Sequence, residues 1–465
     1  MEKKQGVGII VDLASDNSCN VISQITTAVK NRLSSLASSN LTGLPRAKEV
    51  PAPQNGDVKI SNDIIKDEQE HQRLQKQEHI TLNEESGEIH AQEQPYHFIL
   101  LSKTNFEFDK LPIPFSKVIV SDDYMDLLFK AKTRLDESPG FGCGVQVVTS
   151  AVMKKFWETA CVHVFSPATT WSVWGVPVTD QALGLGEPVV GSQVENLFRE
   201  YLKTVGDPDQ VNVLRSDAIP TDQFNAGFHD RFGGVSQFPS VASMNMIYTT
   251  YKPDPVMVVE ENRRRLALAA GFDLAQMHVV KAEHAKTIWV VGQEQPARYD
   301  GIVTDRPGVT VCAPGADCCV ILLADTHTGA VGVVHAGWRG TTMMAVNALL
   351  HTMELEFGTQ PAHVRAAIGP SVSGNHYVLR PEDAKPVADL DPTLTWPSKI
   401  KPHLVHIDLV RANVVQLIRA GVPEHYIDTQ NAHCTFENKQ FFSCERDGKP
   451  FGNQLGFISC RRKRS

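Results

Sequence analysis

The stretch of the chain that decides its fold reads Gly315-Ala-Asp-Cys-Cys-Val-Ile-Leu-Leu-Ala-Asp-Thr-His-Thr-Gly-Ala-Val-Gly-Val-Val-His-Ala-Gly-Trp-Arg-Gly-Thr341. Two apolar, β-prone runs flank a turn-forming Asp-Thr-His-Thr-Gly segment, namely Val320–Ala324 and Ala330–Val334. This pattern predicts a β-hairpin. Folding the hairpin about its turn would bring Cys318 roughly opposite His335.

Opposed Cβ atoms on paired strands lie about 4.5–5.5 Å apart, close enough for a thiolate and an imidazole to share a metal ion. His284, which follows the predicted strand Val279–Ala282, is the best candidate for a third ligand. One Cys and two His would leave a tetrahedral zinc position open, as in catalytic sites. Two alternatives remain: a structural cluster without metal, and a Cys318 nucleophile with His335 as its base.

His335 leads into Ala336-Gly-Trp-Arg-Gly-Thr341, which we expect to open a helix running to Phe357. Backbone N–H groups at a helix start attract anions, so Gly337, Gly340 and Thr341 form a candidate phosphate site, to which Arg339 would add charge. The glycines could equally serve only a tight turn. Arg231, just before Gly233-Gly234, is a second candidate oxyanion clamp.

The amino-acid composition is that of an ordinary globular protein. A length of 465 residues favours two domains. A net charge of −8 argues against a nucleic-acid-binding protein. Nine cysteines without a regular framework favour a reducing compartment, so we expect a cytoplasmic protein. No segment approaches the roughly 18 apolar residues of a membrane span. The basic end Arg461–Ser465 is either a solvated terminus or a nuclear localisation signal. Peripheral association of the protein with an organelle is a further alternative.

The organisation along the chain predicts an α/β fold in two domains. Residues 1–215 alternate strand and helix signals and form a smaller α/β domain of unknown role. Within it, a polar segment over about 38–94 lacks a core-forming pattern, so disorder is expected there. Residues 217–465 form the larger domain, with mixed β-sheets flanked by helices. One of its helices is expected to have Asp254 as N-cap and Pro255 as first residue, and to stop at Gly271.

Several motifs in the second domain occur in the order of a known family. They are Arg231-Phe-Gly-Gly-Val-Ser236, Glu261-Asn-Arg-Arg-Arg-Leu266, Ala316-Asp-Cys318, His335-Ala-Gly-Trp-Arg-Gly-Thr341, Ile368-Gly-Pro-Ser371, Cys434-Thr435 and Phe441-Phe-Ser443 with Arg446-Asp-Gly448. From about Phe224 onward the chain resembles the laccase-domain family, once called multicopper polyphenol oxidases and now regarded as purine nucleoside phosphorylases.

The resemblance implies that His284, Cys318 and His335 bind zinc, with phosphate as co-substrate. It also implies phosphorolysis of adenosine, inosine, guanosine or methylthioadenosine, adenosine deamination, and a role in immunometabolism. Asp317 is the nearest candidate for proton transfer or for orienting a metal ligand. Two departures stand out: Ala282-Glu283-His284-Ala285 replaces the family's Gln-x-His-Gly, and Gly452-Asn453 replaces a Gly-Arg.

Copper chemistry of the laccase type is not expected. Multicopper oxidases use several His-x-His pairs, and this chain has none among its 17 histidines. A role as an adaptor in immune or metabolic signalling, with protein partners bound through the N-terminal domain, is a further alternative.

Overall fold

The structure is a computed structural model. It describes residues 7–12, 24, 25, 27–29, 31, 96–102, 117–121, 123–136, 144–177 and 191–461. The predicted insertion over about 38–94 and the end of the basic tail lie outside the described residues. In the part of the chain that is described, no helix has both the length and the apolar character needed to cross a membrane.

The N-terminal half contains a five-stranded parallel sheet. Its strands are β1 Val7–Asp12, β2 Tyr96–Ser102, β3 Lys117–Val120, β4 Gly144–Ser150 and β5 Trp171–Val176, in the spatial order β3-β2-β1-β4-β5. The helices whose bounds lie within the described part of this half are α1 Tyr124–Asp136, α2 Lys154–Val164 and α3 Gly191–Thr204. The helices bury Leu128, Trp157 and Phe198 in one core with the sheet residues Ile10 and Val147. The α/β prediction is confirmed for this half.

The C-terminal half contains three sheets. Their strands are β6 Val213–Leu214, β7 Phe224–His229, β8 Met277–Val279, β9 Ile288–Val290, β10 Gly301–Thr304, β11 Thr310–Gly315, β12 Cys319–Asp325, β13 Val331–Ala336, β14 Val364–Ile368, β15 Val378–Leu379, β16 Thr395–Pro397, β17 Val405–Ile407, β18 Ile427–Asp428 and β19 Gln454–Cys460. A six-stranded mixed sheet has the order β18-β14-β12-β13-β10-β9, and a five-stranded one has the order β6-β7-β19-β11-β8. A small antiparallel sheet has the order β15-β17-β16.

Helices flank these sheets, as predicted. They are α4 Val256–Ala270, α5 Trp338–Thr342, α6 Ala345–Phe357, α7 Pro381–Leu390, α8 Leu409–Arg419 and α9 Cys444–Asp447. The first strand, β6, pairs with β7, so the C-terminal sheets begin two residues before the expected domain boundary at 215. That boundary stays a prediction.

Strand β12 is buried along its whole length because it packs on both faces. Ile321 and Leu323 join the core beneath α6 and α8, whereas Val320 and Leu322 face the five-stranded sheet. Two-sided burial explains why the sequence reads as a continuous apolar run rather than an alternating one. The strand is therefore a rigid support for the residues at its ends.

The predicted hairpin is confirmed, with a register two residues away from the expected one. His335 pairs with Val320, and Cys318 lies just before the strand. The turn lies between Asp325 and Ala330, close to the predicted Asp-Thr-His-Thr-Gly segment. The Asp325 carboxylate accepts the backbone N–H of His327 at 2.8 Å and the Thr328 hydroxyl at 2.7 Å. These bonds stabilise the turn of the hairpin.

The single helix expected up to Phe357 is wrong. The structure has α5 and α6, separated at Met344, whose φ of 60° is left-handed. The Thr341 carbonyl accepts the side-chain amide of Gln416 at 2.8 Å. The same carbonyl accepts the backbone N–H of Met344 at 3.1 Å, so it has no lone pair left for the N–H of Ala345 that would continue the helical ladder.

The helix α4 stops at Gly271 in a left-handed conformation, as predicted, but it begins one residue late, with Pro255 as N-cap. The Asp254 carboxylate points instead into the protein, where it accepts from Ser236 Oγ at 2.7 Å and Asn245 Nδ2 at 2.8 Å. An interior hydrogen-bond network has therefore replaced the expected cap.

Arg265 of α4 joins the two halves of the chain. Its fully buried guanidinium donates to the carbonyl oxygen of Leu202, in the last turn of α3, at 3.0 Å and to that of Val205, just after α3, at 2.7 Å. It also donates to Gly233 O at 3.0 Å and to the Glu261 carboxylate at 2.9 Å. The two halves thus share a buried polar contact.

Replacing Arg265 by alanine is expected to lower the free energy of unfolding by about 3–5 kcal/mol, because buried carbonyls lose their donors. Urea denaturation measures this loss. Arg264→Ala is the matched control: Arg264 bonds the same Glu261 but its side chain is 35% exposed. The control should cost no more than about 1 kcal/mol, and equal losses would contradict the role given to Arg265.

Candidate metal centre

Three predicted ligands converge at one end of the β12–β13 hairpin. One ligand atom from each of His284, Cys318 and His335 lies within 4.8 Å of the others. The two imidazole rings are 4.9 Å apart and nearly perpendicular, at 86°. The structure therefore brings together the set that the sequence indicated.

Each ligand is positioned by a different local feature. His335 lies in β13, and Cys318 directly precedes β12. His284 is not at the end of a strand as expected, since β8 stops at Val279 and His284 lies in a turn with a φ of 62°. A positive φ is unusual for a residue with a side chain, so other contacts must stabilise the turn.

Asp300, which the sequence did not single out, supplies those contacts. Its fully buried carboxylate accepts the backbone N–H of His284 at 3.0 Å and that of Ala285 at 2.9 Å. It also accepts Nδ1–H of His335 at 3.0 Å, which leaves Nε2 of that ring as the metal-binding nitrogen. A carboxylate behind a ligating histidine fixes its tautomer and raises its basicity.

The charge of Asp300 is favoured by the same partners. Burial alone would raise its pKa, but the hydrogen bonds from His335 and from the N–H groups of Ala285 and Glu283 lower the pKa of this carboxyl below its usual value. Sequence alone could not find Asp300 among 53 acidic residues. The only signal is its place before the buried strand β10.

The space between the three side chains suits a metal ion. A Cβ atom at Gly337 would lie 2.8 Å from Cys318 Sγ and 3.4 Å from His284 Cδ2, so only glycine leaves this cradle open. One thiolate and two imidazoles are ligands that zinc prefers. Burial raises the pKa of the Cys318 thiol well above its usual range, and a cation in the cradle would offset that effect. The residues present therefore fit zinc.

Asp317 lies beside Cys318 but is fully engaged. Its buried carboxylate accepts from Thr435 Oγ1 at 2.6 Å, Ser443 Oγ at 2.7 Å and the backbone N–H of Glu445 at 2.7 Å. Burial raises its pKa despite these donors. The contacts tie the C-terminal segment to the start of β12 and favour an orienting role over proton transfer.

The residues predicted to bind phosphate lie in α5 and directly before it. Gly337 is the N-cap of this helix, and Arg339 lies over the ring of Trp338 at 5.1 Å. Gly340 packs against the carbonyl oxygen of Ala285. Thr341 is buried, and its hydroxyl accepts from Asn413 at 3.0 Å. Among these four residues, only Arg339 is partly exposed, whereas Gly337, Gly340 and Thr341 are buried.

Arg231 is held by structural contacts. Its guanidinium donates to the carbonyl oxygens of Ala242 at 2.8 Å and Pro239 at 3.1 Å, and it lies 4.7 Å from the ring centre of Phe442. A clamp on a phosphate would have to use Nη1, which lies 3.8 Å from Asp447. Its role at the site stays a prediction.

The comparison with protein families covers this same region. The model described as multi-copper polyphenol oxidoreductase laccase matches residues 225–461, just over half of the chain. The chain belongs to this family. The laccase-family region thus contains all three candidate ligands, Cys318, His335 and His284, together with Asp300.

Relatives within the laccase family come from mammals and bacteria. A Mus musculus protein named purine nucleoside phosphorylase LACC1 is 37% identical over 58% of this chain and 62% of its own length. The Homo sapiens protein of that name is also 37% identical, over 58% and 63%. The chain therefore spans less than two thirds of these two relatives. Purine nucleoside phosphorylase YlmD of Geobacillus stearothermophilus is 31% identical over 53% of this chain and 94% of its own length.

Solved structures also match the laccase-family region. The crystal structure of YlmD from Geobacillus stearothermophilus is 29% identical and covers 52% of this chain and 93% of that one, with a TM-score of 0.47.

Replacing Asp300 by asparagine is expected to weaken zinc binding about 10–100-fold, the usual effect of losing a carboxylate behind a metal-binding histidine. Competition with a chromophoric chelator measures the affinity. Asp305→Asn, at an exposed position just after β10, is the control and should bind zinc normally. An unchanged affinity in Asp300→Asn would remove Asp300 from the site.

Proposed function

We propose that the chain is a cytoplasmic, zinc-dependent purine nucleoside phosphorylase. It would cleave adenosine, inosine, guanosine or methylthioadenosine with phosphate to the free base and ribose-1-phosphate, and would also deaminate adenosine. The observation that carries the proposal is the convergence of His284, Cys318 and His335 on one cradle within the laccase-family region. Relatives of that region are named purine nucleoside phosphorylases.

Zinc held by these three residues would supply a Lewis acid that polarises an oxygen of water, phosphate or substrate. The chain's own residues prepare the place for it. Asp300 orients His335 and the His284 turn, Cys318 contributes a negative charge, and Gly337 keeps the space clear.

Phosphorolysis requires a phosphate oxygen to bond to the ribose anomeric carbon while the bond from that carbon to the purine nitrogen breaks. The base leaves with the bonding electrons and takes up a proton. We assign phosphate binding to Arg339 and the backbone at Gly337, because Thr341 is committed to the protein interior. Arg231 would act by ordering the loop that it binds.

A metal-free hydrolase with Cys318 as nucleophile is the weaker alternative. A nucleophilic cysteine needs a lowered thiol pKa, and burial here has the opposite effect. His335 could still act as its base, since Asp300 orients it. Activity that survives chelation but is abolished by thiol alkylation would support this alternative.

Replacing Cys318 by serine is expected to lower inosine phosphorolysis at least about 100-fold, since losing even an orienting partner of a metal ligand costs about 10–100-fold. Activity and bound zinc are measured on the same sample. Cys460→Ser, at a partly exposed cysteine on β19, is the control. Full activity of Cys318→Ser without metal would refute the proposed site.

Product analysis by mass spectrometry tests the reaction itself. With adenosine and phosphate we expect adenine and ribose-1-phosphate, and omission of phosphate should abolish both products. Deamination to inosine should persist without phosphate, because its co-reactant is water. Finding no ribose-1-phosphate with any purine nucleoside would exclude phosphorylase activity.

A further inference from the structure

A second group of metal-binding side chains lies outside the centre described above. One ligand atom from each of His376, Cys434 and Glu437 lies within 4.8 Å of the others. The group combines a sulfur, a nitrogen and a carboxylate oxygen from two segments of the chain. Nothing in the proposed phosphorylase reaction uses these residues.

The backbone holds the two segments together. Ser371 and Cys434 form a parallel β-bridge, with Ser371 N donating to His433 O at 3.0 Å and Thr435 N donating to Ser371 O at 3.1 Å. Ser373 N–H also points at Cys434 Sγ, at 3.4 Å. The Cys434 sulfur is therefore held close to the segment that contains His376.

The imidazole is oriented from both sides. The His376 ring stacks on Phe436 with centroids 4.6 Å apart and an angle of 15°. Its Nε2 lies 2.7 Å from Glu437 Oε1. The side chains of His376 and Glu437 are 30% and 63% exposed, so an ion can reach the group from solvent and displace the hydrogen bond between these two side chains.

We propose that His376, Cys434 and Glu437 form a second binding site for a divalent cation of the zinc class. A thiolate and a carboxylate would balance the two positive charges, and a neutral imidazole would complete three protein ligands with a position left for water. Exposure of two of the ligands makes this site weaker than the buried first one.

The second site is linked to the first through Asp317. Val372, beside the β-bridge, donates its N–H to Asp317 O at 3.0 Å, and Thr435 donates its hydroxyl to the Asp317 carboxylate at 2.6 Å. A cation that joins His376 to Cys434 would therefore fix the two segments that contact the residue preceding Cys318. The proposal rests on this geometry and does not depend on the phosphorylase activity.

Cobalt titration of metal-free, full-length Cys318→Ser protein tests the site, because a thiolate bound to Co²⁺ absorbs in the near ultraviolet. We expect this absorption to persist in Cys318→Ser and to vanish when Cys434 is also replaced by serine. Glu437→Gln, at an exposed position where folding is not at risk, should weaken Co²⁺ binding at least tenfold. Zinc should displace the bound cobalt.

His351→Asn is the matched control. His351 pairs with Glu354 at 3.3 Å on an exposed helix face, in the same kind of His–Glu contact, and that pair is not part of either three-ligand group among the described residues. It should leave the titration unchanged. Loss of all thiolate absorption in Cys318→Ser alone, or its persistence without Cys434, would overturn the second site whatever the outcome for the first.

Discussion

The buried carboxylate of Asp300 holds two of the three candidate zinc ligands in place. It accepts the N–H of His284, which stabilises a left-handed turn, and Nδ1–H of His335, which selects that ring's metal-binding nitrogen. Its backbone takes part as well, since Asp300 O accepts from His335 N at 2.7 Å. A buried charge is tolerated only when it is fully hydrogen-bonded. The His284 turn and His335 of β13 therefore stabilise the Asp300 carboxylate, and the carboxylate in turn fixes their positions.

The sheets give this arrangement its rigidity. Strand β12 is packed on both faces, and the hairpin ligands lie where it and β13 meet the loops. Asp317 then connects Thr435, Ser443 and Glu445 to the start of β12. Because the ligands and their supports come from separated parts of the chain, the centre exists only in the folded protein.

The sequence was sufficient for the hairpin, the α/β class and the grouping of the three candidate ligands, because apolar runs and distinctive residue types mark them. It was insufficient where side chains from distant segments intervene. Gln416 interrupts the helix after His335, and interior bonds at Asp254 replace a helix cap. Asp300 was missed for the same reason: its function follows from contacts with loops that no local pattern reveals.

Crystallography of the zinc-loaded protein, with anomalous scattering recorded at the zinc edge, tests the central claim most directly. We expect an anomalous peak about 2.3 Å from Cys318 Sγ and about 2.0–2.1 Å from one nitrogen of each of His284 and His335, with Asp300 still hydrogen-bonded to His335 Nδ1. A fully zinc-loaded crystal without a peak among these three residues would contradict it.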